Sequence, residues 1–383
     1  MRICLYTETA LPVMGGQQLV IDALARQFVC RGHEVVVLTL QQRDGRTDGD
    51  QLLPYPVVRH RRFVSTRRFL DFYRGRLSAV HRAHKFDLIH AHNVYPAGYV
   101  AARWARPRGI PLVITSHGCD IAPDSRLMAK REVPDRVAFV LRSASALVSI
   151  NDSVERVYRR HCAEANHIVS IPNGVDLAAF GSPVPRPSTI PERLQPEEFC
   201  VFLGRLVHRK GGDQLLLALC QIADSILVQL VIAGTGEEEL ALKTQAIQLG
   251  LADRVHFMGD VQGVEKTYLL QNCLSTVIPS RISEASSLVV LESYAAGVPV
   301  IGTAIPGLET TIIHNETGLL VSAEAPDELA GAMASLARNR VLARRLGRSG
   351  RQKAQESDWG QIADQYLELY ASLVRSKVRA PAA

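Results

Sequence analysis

Short apolar runs rich in Val, Ile and Leu alternate along the chain with stretches whose apolar positions recur at helical spacing. A repeat of about 30 residues of this kind predicts βαβ units and parallel sheets. The first unit reads as a strand at Ile3–Tyr6, a loop at Glu8–Gly16, an amphipathic helix at Gln17–Cys30 and a strand at Glu34–Leu40. Further strands end at His90, Ser116, Ile150 and Ile171. From Pro172 to Pro196 six prolines interrupt the periodicity, and the segment is read as a linker between two domains. A second series starts at Phe199 and continues through Gln229–Ala233, Val255–Met258, Ser275–Pro279, Val300–Gly302 and Gly318–Val321, with a helix at Leu288–Ala296. Beyond Pro326 the pattern is helical, and Trp359–Val374 carries Trp359, Ile362, Tyr366, Leu369 and Tyr370 on one stripe. The expected architecture is α/β, with two doubly wound domains, residues 1–178 and 179–358, facing across a cleft, and a terminal helix in 359–383. Ligands are expected beyond the carboxyl ends of the strands.

Composition agrees with two globular domains: 383 residues, 47% hydrophobic, 21% charged, mean hydropathy +0.04. Disordered, collagenous and disulfide-scaffold classes are excluded. The longest uncharged stretch, Ser293–Leu308, contains two prolines and three glycines and falls short of the roughly 18 residues of a membrane span. Met1 leads directly into a strand pattern without the features of a signal peptide, so a cytoplasmic location is expected. Seven scattered cysteines, none in a C-x-x-C pair, read as reduced core thiols. The net charge of +6 is uneven: residues 1–180 hold 25 Lys+Arg against 16 Asp+Glu, and the remainder 19 against 22. An excess confined to one domain suggests an anionic partner there.

Several residue groups carry candidate chemistry. Gly15-Gly16 lies between the first strand and its helix, where backbone N–H groups and the helix dipole can receive an anion; a tight turn without a ligand fits equally well. No G-x-G-x-x-G follows that strand, and Gly234-Thr-Gly236 lacks a third glycine, so a nicotinamide dehydrogenase is disfavoured. His117 ends the strand Pro111–Ile114 and should project at its carboxyl end, either into the cleft or capping a loop. His90 and His92 share a strand face, but with no third ligand evident no metal is expected. Arg205, a planar fork, and Lys210, a point charge, follow the first strand of the second domain and suit a diphosphate. In Ser280–Glu292, Ser287 reads as an N-cap and Glu292, one turn into the helix, can accept two vicinal ribose hydroxyls, with Glu284 facing what lies beyond the diphosphate. Standing alone, the same segment also reads as Glu284 capping the helix and Glu292 in solvent. Asp48-Gly-Asp50 sits in a charged loop with no preceding strand and is read as surface.

Taken together, these residues resemble the retaining glycosyltransferases of family 4, whose two Rossmann-like domains form the GT-B architecture. The resemblance runs through Gly15-Gly16, Phe86–His92, Ile114–Gly118, Ile171–Asp176, Phe202–Arg205 with Lys210, Leu230–Gly236, Val255–Gly259, the pair Glu284/Glu292, Ala296–Val300 and Thr317–Val321. It implies a nucleoside-diphosphate sugar as donor substrate, no cofactor and no metal. Arg205 and Lys210 would meet the diphosphate, Glu292 the ribose, Glu284 and His117 the sugar, and Gly15 and Gly16 the phosphates from the first domain. The backbone near Gly234 and Val261 would meet the base, and the start of the helix at Ser287 and Leu288 the phosphates. The last helix would cross back onto the first domain. Family members often carry an aromatic residue and glycine where this chain has Ser286-Ser287. That departure motivates a second reading, a sugar-nucleotide-binding protein without transfer.

Nearly all of the first half's charge lies in Arg59–Lys85, with nine basic residues against Asp71. Arg59, Arg61, Arg62, Arg67 and Arg68, interleaved with aromatic and apolar residues, form a candidate patch for the acceptor or for an anionic membrane face. A solvated arginine-rich face competes with that reading, and nucleic acid is not expected as a partner. The combined expectation is a transferase moving a hexose-type sugar to a hydroxyl of a glycan or lipid-linked acceptor, cytoplasmic or peripheral at the inner membrane face.

Overall fold

A computed structural model describes the chain except residues 42–46, 48, 62–68, 119, 122–124, 126, 163–166, 285–286 and 380–383, with backbone alone at 377–379. Contacts divide it into two units, Met1–Asn173 with Trp359–Ala383, and Gly174–Asp358.

The first unit contains, in chain order, β1 (Arg2–Thr7), α1 (Gly16–Cys30), β2 (Glu34–Leu40), β3 (Val57–His60), α2 (Phe69–His84), β4 (Leu88–His92), α3 (Tyr99–Ala105), β5 (Leu112–Thr115), α4 (Val133–Ser143), β6 (Ala146–Ser149), α5 (Asp152–His161) and β7 (Ile168–Ser170). The second contains α6 (Leu177–Gly181), β8 (Phe199–Leu203), α7 (Gly212–Ile222), β9 (Gln229–Ala233), α8 (Glu239–Gln248), β10 (Val255–Gly259), α9 (Gly263–Asn272), β11 (Ser275–Ile278), α10 (Leu288–Ala296), β12 (Val300–Thr303), β13 (Gly318–Val321), α11 (Pro326–Arg338) and α12 (Arg340–Ala354). The chain then returns to the first unit as α13 (Trp359–Arg379).

Seven parallel strands form the first sheet in the order β3-β2-β1-β4-β5-β6-β7, and six form the second in the order β10-β9-β8-β11-β12-β13. The strand order reverses beside β1 and β4 in one sheet and beside β8 and β11 in the other. At such reversals the loops leaving the carboxyl ends part and open a crevice. Strands covered by helices on both faces need apolar side chains at every position. Accordingly Ile3, Cys4 and Leu5 on β1 and Phe199, Cys200 and Val201 on β8 are fully buried.

The predicted strands are present, and β3 adds one that its short, half-buried sequence at the sheet edge does not announce. The segment read as a linker is different. Contacts change unit at Asn173/Gly174, and most of Pro172–Pro196 belongs to the second unit, with Ile190 and Leu194 buried beside Phe199 and Tyr268. Proline removes ladder donors but not side-chain packing, so a segment without periodicity can still line a core. The stripe on α13 is buried at Trp359, Ile362, Tyr366 and Tyr370 within the first unit, while Leu369 is half-buried. Of the six described cysteines, all free thiols, Cys4, Cys200 and Cys273 are buried, whereas Cys30 is exposed and Cys162 and Cys220 are half-buried; these last three correct the expectation of core thiols. Among the described residues no helix is long and apolar enough to cross a membrane.

Candidate functional site

In the first unit the candidate residues collect at the carboxyl ends of β1, β4 and β5. Gly15 is the N-cap of α1 with extended backbone and no side-chain cap, so among the described residues the first N–H groups of that helix have no side-chain acceptor. The loop is held by Gln17, whose amide donates to Thr7 Oγ1 at 3.0 Å and to the His92 carbonyl at 3.1 Å. His90 and His92 lie on one face of β4, as their spacing predicts, with ring centroids 4.1 Å apart. His117, just beyond β5, is half-buried and lies edge to edge with His92, the ring planes 16° apart and Nε2 3.1 Å from His92 Nδ1. The Tyr370 hydroxyl on α13 lies 2.6 Å from His90 Nδ1, and Thr115 Oγ1 lies 2.8 Å from His90 Nε2. Burial pushes the His117 imidazole down to about 4, and burial together with His117 pushes His90 down to about 3, so the rings are neutral at physiological pH. Asp120, also buried, accepts from Ser116 Oγ at 2.7 Å and from the Val94 amide, fixing the loop that carries His117.

The second unit gathers its residues at the carboxyl ends of β8 and β11. Lys210, in the loop before α7, meets Glu284 at 2.6 Å, and Ser280 donates to the same carboxylate oxygen at 2.7 Å. Glu284 is 8% exposed, so the interaction lies in a region of reduced dielectric. Its amide donates to the Pro306 carbonyl at 3.0 Å. Gly307 stands with φ +96°, and a Cβ there would come within 1.6 Å of the Glu284 carbonyl oxygen; no side chain fits between these two segments. Arg281 joins the two loops: it forks onto Asp213 at 2.7 and 2.5 Å and donates to the His208 carbonyl at 2.7 Å.

Glu292 is buried one turn into α10, with Oε1 2.5 Å from Lys266 Nζ and Oε2 buried without a hydrogen-bond partner among the described residues. Burial pushes its carboxyl up, against the opposing pull of the Lys266 ammonium. Ser287 occupies the N-cap position of α10, as predicted, but its side chain makes no capping hydrogen bond. Leu288 opens the helix, and Arg205 is exposed and makes no ion pair among the described residues. The Gly234 amide donates to the Gly259 carbonyl at 2.6 Å, and a Cβ on Gly234 would fall 1.8 Å from the Gly204 carbonyl oxygen; the loops leaving β8, β9 and β10 therefore touch backbone to backbone. Val261 is buried just beyond β10.

Sequence reasoning did not anticipate Lys266, Ser280 and Arg281 as partners in this arrangement. Ser280 and Arg281 belong to the segment already singled out, but Lys266 lies 26 residues from Glu292 and nothing local connects them. Similarly, His117 is 25 residues from His92, the histidine it meets. Among the described residues no three His, Cys, Asp or Glu side chains are arranged to hold a metal ion.

The basic patch is corrected at Arg59. Its guanidinium side chain is 6% exposed and forks onto Asp50 at 2.7 Å through both oxygens, because a buried cation requires a carboxylate. Asp50, read as surface, is thus an internal partner; Asp48 lies outside the described residues. Arg61 is exposed, and Arg62, Arg67, Arg68 and Ser286 lie outside the described residues. On α2 the interleaved Tyr73, Leu77 and Val80 face the core rather than solvent.

Residues 14–179 match the model of Glycosyltransferase Family 4, and residues 189–353 that of Glycosyl transferases group 1. A D-inositol 3-phosphate glycosyltransferase of Jonesia denitrificans is 28% identical over 392 residues, covering 93% of this chain and 91% of that protein. A glycogen synthase of Mycobacterium tuberculosis is 28% identical over 305 residues, covering 77% of this chain and 71% of that protein. Among solved structures, HepE of Anabaena in complex with UDP superposes with a TM-score of 0.81 at 22% identity, covering 97% of this chain and 100% of that one. Sucrose-phosphate synthase of Thermosynechococcus elongatus gives 0.83 at 23% identity, covering 98% and 100%. With each half matched by its own family model, and with the two parallel sheets of the GT-B fold, the chain belongs to the group 1, family 4 glycosyltransferases.

Proposed function

We propose that the protein transfers a hexose-type sugar, with retention of anomeric configuration and without a metal ion, from a nucleoside diphosphate to a hydroxyl of a glycan or lipid-linked acceptor. The observation that carries this reading is the Lys210–Glu284–Ser280 cluster standing beside the uncapped start of α10, with the orphaned Glu292 oxygen one turn further on. An ammonium, open helix N–H groups and an acceptor oxygen, carried by the segments that follow β8 and β11, match a diphosphate flanked by a sugar and a ribose. Lys210 and Arg205 take the diphosphate, Glu284 accepts from sugar hydroxyls, and Glu292 Oε2 accepts from the ribose. The loops at Gly234 and Val261 take the base, and Ser287 and Leu288 contribute the first N–H groups of α10. In the first unit, Gly15 and Gly16 offer backbone N–H groups to a phosphate and His117 a ring nitrogen to the sugar. UDP is the first nucleotide to test, since HepE structures hold UDP and UDP-glucose.

In the chemical step the bond from the anomeric carbon to the diphosphate oxygen breaks, a bond to the acceptor oxygen forms on the same face, and the acceptor proton passes to the departing diphosphate. The leaving group serves as the base, so the protein's work is positioning and stabilising developing negative charge. Lys210, freed from Glu284 when that carboxylate turns to the sugar, and Arg205 supply that stabilisation. Incubation with UDP-, GDP-, ADP- and TDP-sugars should raise the melting temperature for one nucleotide, and NMR of the product should show a retained anomer. Lys210→Ala and Glu284→Ala should each lower turnover by about 100-fold or more. A wild-type protein that binds a donor yet transfers its sugar to no acceptor would replace this reading with that of a sugar-nucleotide-binding protein.

A further inference from the structure

His117 stands at the edge of a cluster of hydrogen-bonded side chains carried by β4, β5 and α13. His92 is fully buried, with Nδ1 3.1 Å from His117 Nε2. Its other nitrogen, Nε2, is buried and has no hydrogen-bond partner among the described residues. Burial keeps both rings neutral, pushing His117 down to about 4 and His92 well below its ordinary value.

Two neutral rings can share this hydrogen bond in two ways. If His117 donated through Nε2, His92 would accept at Nδ1 and carry its own proton on Nε2, an N–H sealed from water with nothing to receive it. If His92 donates through Nδ1, its Nε2 is left only as an unused lone pair. A buried N–H without an acceptor is the rarer and costlier of the two defects. Turning the His92 ring over would put a carbon where Nδ1 meets His117 and lose that 3.1 Å contact, and the ring lies 4.1 Å from that of His90. His90 is itself fastened at both nitrogens, by Tyr370 at 2.6 Å and Thr115 at 2.8 Å.

We propose that His92 is a positioning residue whose Nδ1–H donates to His117 Nε2 and so fixes His117 as the Nδ1–H tautomer. His117 Nδ1 makes no hydrogen bond among the described residues, and this tautomer makes it a donor, suited to an oxygen of a bound sugar rather than to a hydroxyl proton. The inference deepens the proposed function, on which only its kinetic arm rests; the tautomer is readable with no substrate present.

A neutral imidazole free in water prefers its proton on Nε2, so the enforced form is distinguishable by the nitrogen shifts and long-range proton couplings of the full chain labelled with 15N-histidine. Loss of the signal in His117→Gln assigns it. The wild type should show His117 protonated on Nδ1. His92→Phe, which keeps an aromatic ring against His90 but has no N–H, should move His117 toward Nε2–H and lower kcat about tenfold, the rate equivalent of about one hydrogen bond, with little change in donor KM. His92→Asn, whose side-chain nitrogen can stand where Nδ1 stood, should recover most of both. A wild-type His117 protonated on Nε2 overturns the proposal, and this spectrum decides even if the variants do not fold. An unchanged tautomer in a folded His92→Phe also overturns it, whatever happens to kcat. Absence of sugar transfer by the wild type would remove the proposed function and leave the tautomer result standing.

Discussion

Glu284 is constrained on several sides: Lys210 and Ser280 hold one carboxylate oxygen, the Pro306 carbonyl accepts from its amide, and Gly307 presses against its carbonyl. The last contact exists only because position 307 has no side chain. Gly307→Ala would have to displace Glu284 and tolerate a left-handed backbone, at a cost of about 2–3 kcal/mol. It should lower the urea midpoint and abolish turnover together; a variant with wild-type stability would refute the account of this contact. Glu284 is singled out in the sequence by its place among the other motifs of the family resemblance, since its spacing to Glu292 alone reads equally as a helix cap beside a solvated carboxylate. What surrounds it is not, because Lys210 is 74 residues away and meets it only through adjacent strands. Arg59 shows the opposite failure. Counted as one of a run of cations it looks like surface, and only the fold reveals Asp50 beneath it.

Helix starts differ in how their N–H groups are satisfied. In α5 and α12 the N-cap asparagines, Asn151 and Asn339, accept from the amides of Val154 and Leu342 at 2.9 Å. In α1, α7 and α10, whose starts lie at the candidate sites, the N-cap residue makes no side-chain capping bond, and the same holds for α8 and α9. Asn339→Ala should therefore lower stability by about 1 kcal/mol, whereas Ser287→Ala should lie within about 0.5 kcal/mol of wild type, as expected for a side chain without a structural hydrogen bond. Chemical denaturation measures both, and an equal loss would show that Ser287 caps its helix. Most elements were legible because a strand buried on both faces must be apolar throughout. β3, at the sheet edge and ending in a basic pair, carries little of that pattern, and the proline-rich segment at Pro172–Pro196 conceals core residues because proline disrupts periodicity without preventing burial.

At the scale of the whole molecule, the neutral histidines make stability depend on pH. His90, His117 and His60 have folded values of about 3, 4 and 4, lowered chiefly by burial, whereas in an unfolded chain histidine titrates near about 6.5. Below that value the unfolded state binds protons that the folded state refuses, so stability is lost as pH falls from about 6.5 toward 4. Each such histidine contributes a slope approaching about 1.4 kcal/mol per pH unit. Calorimetry between pH 7.5 and 5, above the range where most carboxylates titrate, should show the melting temperature falling on acidification; a flat profile would mean that these rings are not held neutral. Two domains of parallel strands were legible from the recurring runs. The helical stripe beginning at Trp359 was legible as well, although its packing partner His90 could not be named, since nothing in a linear sequence links residues 280 apart.

The first unit is completed by α13, so its two parts are separated in the chain by the 185 residues of Gly174–Asp358. Ribosomes add roughly 5–20 residues per second, so the intervening unit takes about 10–40 s to synthesise. Throughout that interval the nascent first unit lacks the helix that covers Phe28 and His90. The second unit can finish folding while the first still exposes an apolar face that chaperones can bind. A message truncated immediately before the codon for Trp359 would yield an intact second unit attached to an incomplete first one.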